Sequence, residues 1–114
     1  MKIKVLKSKI HRATVTDTSL DYEGSISIDS KLMNQADIVP YEKVHVLDVT
    51  NGNRLETYAI PSKNNGEVCI NGAAAHLIHT KDIIIIASYG QIHKKEYEKF
   101  KPNVLCVDEN NQIK

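Results

Sequence analysis

The chain has 114 residues, 41% of them hydrophobic, enough for one modest core and too few for two lobes with a cleft between them. The 15 Lys and Arg residues nearly balance the 14 Asp and Glu, and the formal net charge of +1 is spread along the chain; nothing in it calls for nucleic acid or a membrane surface, and a small, locally charged substrate fits better. Met1–Lys7 carries lysines but no apolar stretch of signal-peptide length, and the run Ile83–Ala87 is too short to cross a bilayer, so the sequence predicts a soluble, cytoplasmic protein.

Residues 3–17 alternate apolar and polar for much of their length, with Ile3, Val5, Ala13 and Val15 as inward candidates, and predict one or two strands. Lys9 and His11 share a parity there and would project to one side. Past Gly24-Ser25, Ile26 and Ile28 continue an extended pattern, and Asp29 or Ser30 is placed to cap a short helix carrying Leu32, Met33 and Ala36, closed by Pro40. Val44 and Val46 mark a further strand. Asn51-Gly52 predicts a tight type I′ hairpin, because both residues tolerate positive φ, with a return strand over about 53–60.

Pro61 to Gly66 predicts a polar loop, Val68 to Ile70 a short strand, and Asn71-Gly72 a tight connection into Ala73-Ala74-Ala75, with a helical turn over 76–80. Asp82 to Ser88 is β-branched without alternation, the pattern of a strand buried on both faces. Residues 94–100 are charged and helix-permissive with Tyr97 and Phe100 as anchors, and 103–107 supply a last strand after Pro102. Cys69 and Cys106 each lie in strand-like apolar stretches and predict reduced core thiols. His76 and His79 stand three apart, but no third ligand follows at a metal-binding spacing, so no metal is expected. Many short strands with two or three brief helices make a mainly β domain, a small barrel or sandwich.

The chemistry concentrates at Tyr22-Glu23-Gly24-Ser25. The Ser25 hydroxyl lies one residue past a carbonyl it can attack through a five-membered ring, and glycine at 24 leaves the required backbone strain unopposed by a Cβ. Attack turns the Gly24-Ser25 amide into an ester. Loss of the Ser25 Cα proton expels the ester by β-elimination, and hydrolysis of the dehydroalanine leaves a ketone, a pyruvoyl group, at the new N-terminus.

Around that stretch stand Lys9-x-His11-Arg12, Tyr22 to Ser25, Val49-Thr50-Asn51-Gly52, Thr57-Tyr58-Ala59-Ile60 and Asn71-Gly72-Ala73-Ala74-Ala75-His76, followed by Asp82 to Ser88 and Lys101-Pro102-Asn103-Val104. In order and spacing these phrases resemble the pyruvoyl-dependent aspartate 1-decarboxylases over about residues 1 to 107. The resemblance implies a double-psi β-barrel assembled as a homotetramer with active sites between subunits. It implies self-cleavage into a β chain of residues 1–24 and an α chain of residues 25–114, with Thr57 holding the Gly24 carbonyl. It further implies decarboxylation of L-aspartate to β-alanine and CO2 for pantothenate synthesis, the substrate amine condensing with the pyruvoyl ketone made from Ser25. Sequence leaves open whether a maturation partner is needed.

Arg54 is expected to grip the substrate carboxylate through a bidentate pair, with Lys9 as a second cation and His11 orienting the substrate. Tyr58 shares strand parity with Arg54, and the resemblance makes it the donor of the proton after decarboxylation. Gly72 and Ala73–Ala75 would let substrate approach backbone N–H groups. Thr57 has the opposite parity to Tyr58, so both serve one centre only through a distorted strand or across a subunit boundary. Leu47 stands where relatives often carry a bulkier side chain. The competing classes are a non-catalytic β-barrel interaction or DNA-binding module, which explains neither Gly24-Ser25 nor Arg54-x-x-Thr57-Tyr58, and an uncleaved pseudoenzyme of the same fold.

Overall fold

The computed structural model describes all residues, Met1–Lys114. Eight strands form one mixed sheet: β1 (Lys2–Thr14), β2 (Asp17–Ser19), β3 (Ser25–Asp29), β4 (Lys43–Asp48), β5 (Arg54–Ser62), β6 (Val68–Asn71), β7 (Ile83–His93) and β8 (Asn103–Cys106). Their spatial order is β2-β6-β3-β5-β4-β7-β1-β8. β1 and β2 lie near opposite ends of that order, yet only two residues separate them in the chain. Three Cα steps span at most about 10–11 Å, so the sheet has to curl until its ends meet. The seam is visible where Val15 N–H donates to Asp82 O at 2.9 Å and Thr16 N–H to Val68 O at 2.8 Å. Asn111, 1% exposed, staples the same seam, accepting from Thr14 N–H and donating to the Thr14 and Gly66 carbonyls. No helix is long and apolar enough to cross a membrane.

A single cluster of buried side chains fills the curl, including Ile10, Ile26, Ile28, Val44, Val46, Ile70, Ile84 and Ile86. In β1 the inward set changes parity twice. Ala13 and Val15 are buried as expected, but Ser8 and Ile10 are buried too, and Ile3 and Val5 are only half-buried. Register shifts between Leu6 and Ser8 and between Ile10 and Ala13 explain it, because each extra residue turns the following side chains to the other face. Arg12, in the second of these, has φ 64°.

The helix α1 (Ser30–Ala36) starts where the sequence places it. Asp29 is the cap, its carboxylate accepting from Lys31 N–H at 2.9 Å, and Leu32, Met33 and Ala36 face the core. The second Asp29 oxygen takes Gly66 N–H at 2.8 Å, which ties the end of β3 to the loop before β6.

Elsewhere the structure corrects the expectations. The Asn51-Gly52 connection is not a type I′ turn: only Gly52 has positive φ, and Gly52 N–H bonds Asp48 O in a longer loop. The Asp48 side chain builds that loop by accepting from Thr50 and Asn51 N–H. β5 runs through Pro61 to Ser62; β4 pairs only with residues 54–58, so Pro61 sits where the strand has lost that neighbour and a missing N–H is tolerated. The helical turn after β6 is a 3₁₀ turn at Gly72–His76, earlier than residues 76–80. β7 is not buried on both faces, because Ile84 and Ile86 are fully buried while Ile83 and Ile85 are half-exposed on the outer face. Only Lys94–Glu96 form a 3₁₀ turn in the charged segment, and Tyr97 is exposed instead of anchoring it. Cys69 is buried, but Cys106 alternates outward and is exposed; both are free thiols.

Asp48 and Asp82 are 3% and 8% exposed, and their carboxyls are close enough that a proton on one would bond the other. Burial, then the bond to Asp82, pushes the Asp48 carboxyl up. Burial also works to raise Asp82, but the bond from Asp48 and the His79 N–H outweigh it and hold that carboxyl below its ordinary value. Asp48 Oδ2 is buried and accepts no hydrogen bond from a donor group of the chain. The raised group stabilises the fold fully below the ordinary carboxylate range and loses that contribution as pH rises through its folded value. The lowered group acts in the opposite sense, losing its contribution as pH falls through its folded value. Asp48→Asn keeps the acceptor for Thr50 and Asn51 and sets a permanent donor against Asp82. Urea unfolding at pH 7 is expected to show the variant more stable than its parent by about 1 kcal/mol, with the gap closing as pH falls through the raised value of the Asp48 carboxyl in the folded parent.

Candidate functional site

Ser25 opens β3 and is 1% exposed. Register sets Ser25 directly opposite Asn71 on β6, and the Asn71 amide donates to Ser25 Oγ at 2.9 Å. The serine hydroxyl points toward the Glu23 carbonyl, a long contact of 3.5 Å. Parallel pairing of β3 with β5 begins only at Ile26↔Ala59, so residues 55–57 of β5 present an unpaired edge beside Gly24. Between that edge and the 3₁₀ turn lies a cavity of about 290 Å³, lined by Gly24, Leu55, Glu56, Thr57, Asn71, Ala73, Ala74 and Leu77. The fold thus brings Gly24, Ser25, Thr57, Ala73 and Ala74 to one place. Ala75 does not line the cavity; like Ala74, it packs against the core.

The steric demand falls on a different glycine from the one the sequence singles out. A Cβ on Gly24 would meet nothing within 4 Å, and Gly24 does not have positive φ. A Cβ on Gly72, whose φ is +74°, would stand 2.8 Å from Gly24 Cα, 2.9 Å from Gly24 N and 2.9 Å from Tyr22 O. Gly72 is therefore the floor on which the 22–24 backbone rests, and no other residue type fits there without moving that backbone.

Lys9, His11, Arg54 and Tyr58 do not join this cavity. Lys9 pairs with Ala87, Ala87 with His45, and Leu47 with both Ile85 and Arg54, which sets Lys9, Leu47 and Arg54 on the outer face of the sheet. Lys9 lines a hollow of about 220 Å³ with Leu6, Leu47, Ile85, Ala87 and Tyr89. Arg54 lines another of about 260 Å³ with His45, Leu47, Leu55 and Glu56. This hollow shares Leu55 and Glu56 with the Gly24 cavity, so the two adjoin along β5. Tyr58 is on the same outer face, its ring 6.2 Å from that of Tyr41. Register between β4 and β5 runs without a shift from Lys43↔Tyr58 to Leu47↔Arg54, so the strand is not distorted and Thr57 and Tyr58 face opposite ways.

The electrostatics of the outer face are selective. Glu56, although exposed, is held by Lys43 at 3.0 Å and His45 at 3.0 Å, and the hydrogen bond and charge of Lys43 pull its carboxyl below the ordinary range. Lys7 takes Glu42 at 3.1 Å. Arg54 and Lys9 form no ion pair within the chain, which leaves two cations able to receive a carboxylate from outside. His11 lies further along β1, beside Cys106 of β8. Burial, followed by the charges of Lys9, Arg12 and Lys114, lowers its pKa, so it is a neutral imidazole at pH 7, and its buried Nδ1 has no partner.

Two residues that sequence reasoning passed over emerge here. Asn71 is read from sequence only as the first half of a turn, whereas its side chain is the one that touches Ser25. Glu56 lies between two nominated residues and lines both cavities. The period-2 spacing Arg54, Glu56, Tyr58 is the signal that could have found it.

A family model described as aspartate decarboxylase matches residues 1–114. The chain is similar to an aspartate 1-decarboxylase of Acetivibrio thermocellus, 55% identical over 99% of this chain and 90% of that protein. One from Campylobacter jejuni is 55% identical over 97% of this chain and 88% of its own length. One from Campylobacter fetus is 49% identical, covering 99% and 98%.

The glycine geometry yields a paired test. Gly72→Ala is expected to cost about 1–3 kcal/mol in urea unfolding and to open the 22–24 segment to limited proteolysis, whereas Gly24→Ala should change stability by less than about 0.5 kcal/mol.

Proposed function

Because the chain belongs to the aspartate decarboxylase family, we propose that it cleaves itself between Gly24 and Ser25 and uses a pyruvoyl group at position 25 to decarboxylate L-aspartate to β-alanine and CO2, the step that feeds pantothenate synthesis. The observation that carries the reading is the buried Ser25 hydroxyl receiving an N–H from Asn71 beside the cavity that Gly24 and Thr57 share. A group made from Ser25 fits this place: a cavity of about 290 Å³, walled by Gly24, Thr57, Ala73 and Ala74, is open to a small molecule beside it, and Gly72 supports the 22–24 backbone.

In the self-cleavage, the Ser25 oxygen bonds to the Gly24 carbonyl carbon, the Gly24–Ser25 C–N bond breaks, and the hydroxyl hydrogen ends on the Ser25 nitrogen. Thr57, on the cavity wall, donates to the Gly24 carbonyl oxygen as negative charge gathers there. Asn71 donates to the attacking oxygen. The products are a β chain of 1–24, released as the Gly24 carboxylate by elimination, and an α chain of 25–114, in which position 25 becomes the ketone as the dehydroalanine takes up one water and loses the Ser25 nitrogen as ammonia.

A pyruvoyl group at position 25 would supply a ketone for the substrate amine and a sink for the electron pair released with CO2. The chain's own residues do the rest. Arg54, free of any internal carboxylate, holds the substrate carboxylate that is not lost, in a bidentate pair, and Lys9 adds a second cation. His11, neutral, orients the substrate by hydrogen bonding and does not repel those cations. The N–H groups of Ala73 and Ala74 face the bound amino acid, with Ala75 behind them, and Tyr58 delivers the proton that replaces CO2.

Because Thr57 and Tyr58 point to opposite faces of an undistorted strand, a complete site needs two protomers: the outer face of one, with Lys9, Arg54 and Tyr58, covers the Ser25 cavity of the next. A homotetramer provides this pairing. The half-buried Leu6, Leu47 and Ile85 on the outer face supply the apolar surface for it. Two free thiols are in keeping with a cytoplasmic enzyme.

Intact mass under denaturing conditions, before and after incubation in cell extract so that any maturation factor is present, tests the cleavage. Two fragments broken after Gly24, the larger with a ketone mass at its N-terminus, are expected from the parent, and a whole chain from Ser25→Ala. A parent that stays whole in extract would be the uncleaved pseudoenzyme and would end the proposal. In the processed enzyme, Tyr58→Phe should leave cleavage intact and lower kcat by about 10²–10⁴. Arg54→Lys, which keeps charge but loses the fork, should lower kcat/KM for aspartate about 10–100-fold, mostly through KM in steady-state assays.

A further inference from the structure

Four side chains form a closed set on one face of the β3–β6 pair. Ser25 stands opposite Asn71 and Ser27 opposite Cys69, so the two serines and the two β6 residues all project the same way. Asn71, 3% exposed, makes three bonds within the set. Its Nδ2 donates to Ser25 Oγ and to Ser27 Oγ, each at 2.9 Å, and its Oδ1 accepts from the Cys69 thiol at 3.3 Å.

The two serines alone do not decide which way round this amide sits. A hydroxyl donates or accepts with equal ease, so two hydroxyls are satisfied by either end of an asparagine. A thiol is a donor and only a weak acceptor. Cys69 therefore breaks the tie, drawing Oδ1 toward sulfur and leaving both N–H groups for the serines. Burial, joined by the charges of Asp17 and Glu67, pushes the Cys69 thiol up, so it keeps its hydrogen throughout the physiological range.

The orientation matters for an attacking oxygen. With N–H aimed at it, Ser25 Oγ has a fixed donor for the charge it gains as its hydrogen leaves, before its electron pair passes to the Gly24 carbonyl carbon, and that hydrogen rests pointing elsewhere, toward Glu23 O. With the amide reversed, Ser25 would spend its hydrogen on Oδ1 and would have no donor when that hydrogen leaves. Ser27 completes the arrangement by taking the second N–H, so the buried amide has no unsatisfied donor competing for Ser25.

We propose that Cys69 is a positioning residue for self-cleavage: its thiol fixes the Asn71 amide so that the Ser25 oxygen receives an N–H as it attacks the Gly24 carbonyl. The inference rests on the self-cleavage reading and adds to it a residue that touches neither the reacting carbonyl nor substrate.

The test follows the cleaved fraction with time by intact mass after a short pulse of synthesis, in the parent, Cys69→Ser and Cys69→Ala, with the thermal unfolding midpoint of each. Cys69→Ser restores a donor and is expected to cleave within about twofold of the parent. Cys69→Ala lets the amide turn over and should cleave about tenfold or more slowly at a similar unfolding midpoint, the range set by loss of one oriented donor. Cys69→Thr and Cys69→Val form a second pair of equal size that keeps the contrast if alanine disturbs packing, threonine being the fast member. Equal rates for alanine and serine, or for valine and threonine, would overturn the role while leaving self-cleavage standing. A parent that never cleaves would bring down both.

Discussion

The contact of Gly72 against Gly24 and Tyr22 is the constraint on which the site depends. Backbone meets backbone there at a distance that leaves no room for a Cβ. Because Asn71 immediately precedes Gly72, the same turn that supports the 22–24 segment also carries the amide that reaches Ser25. One change of direction at the end of β6 thus sets the height of the Gly24–Ser25 bond and the aim of the amide beside the Ser25 hydroxyl. The 3₁₀ turn at Gly72–His76 then continues away from the site and leaves Ala73 and Ala74, small enough to keep the cavity open, on its wall.

For the proposed self-cleavage, that arrangement makes chemistry wait for folding. Ser25 and Asn71 are 46 residues apart in the chain, and they meet only when β3 and β6 pair. Thr57 reaches the same cavity from β5, whose pairing with β3 begins two residues further on. In an unfolded chain Ser25 has a carbonyl within ring-closing reach but no donor for its oxygen and nothing to hold the amide at the required height. Effective positioning of this kind is worth several kcal/mol of barrier in general. A chain that pairs β3 with β6 in the wrong register loses it altogether, since a shift by one residue turns Ser25 to the opposite face.

Much of this was legible before the structure. The cap at Asp29, the helix behind it and the alternating core of β3 and β4 follow from local rules that tertiary contacts do not override. The parity argument for Thr57 and Tyr58 held because β5 has no bulge against β4. The same argument failed in β1, where two register shifts cancel over the strand's length, so that Ile3 and Ala13 share a parity while Ser8 and Ile10 between them do not. The Asn51-Gly52 turn was misread because Asp48 competes for the loop's N–H groups with its side chain, a long-reach effect that a dipeptide rule does not contain. Pairing of Asn71 with Ser25 was out of reach for a related reason: it depends on which strands are neighbours, and the connection from β3 to β6 passes through a helix and two other strands.

The outer face shows how an arginine is kept free of internal carboxylates in a chain with almost balanced charge. Sheet pairing sets His45 opposite Glu56 and Lys43 one row away, and these three satisfy one another. Glu56 stands two residues from Arg54 on the same side of β5, near enough to have claimed its guanidinium. With Lys43 and His45 both on that carboxylate, Arg54 has no internal partner. The Lys43–Glu56 pair is exposed and screened, so it adds little to stability; its consequence is that the Glu56 carboxylate is already engaged and the Arg54 guanidinium stays open to a carboxylate from outside.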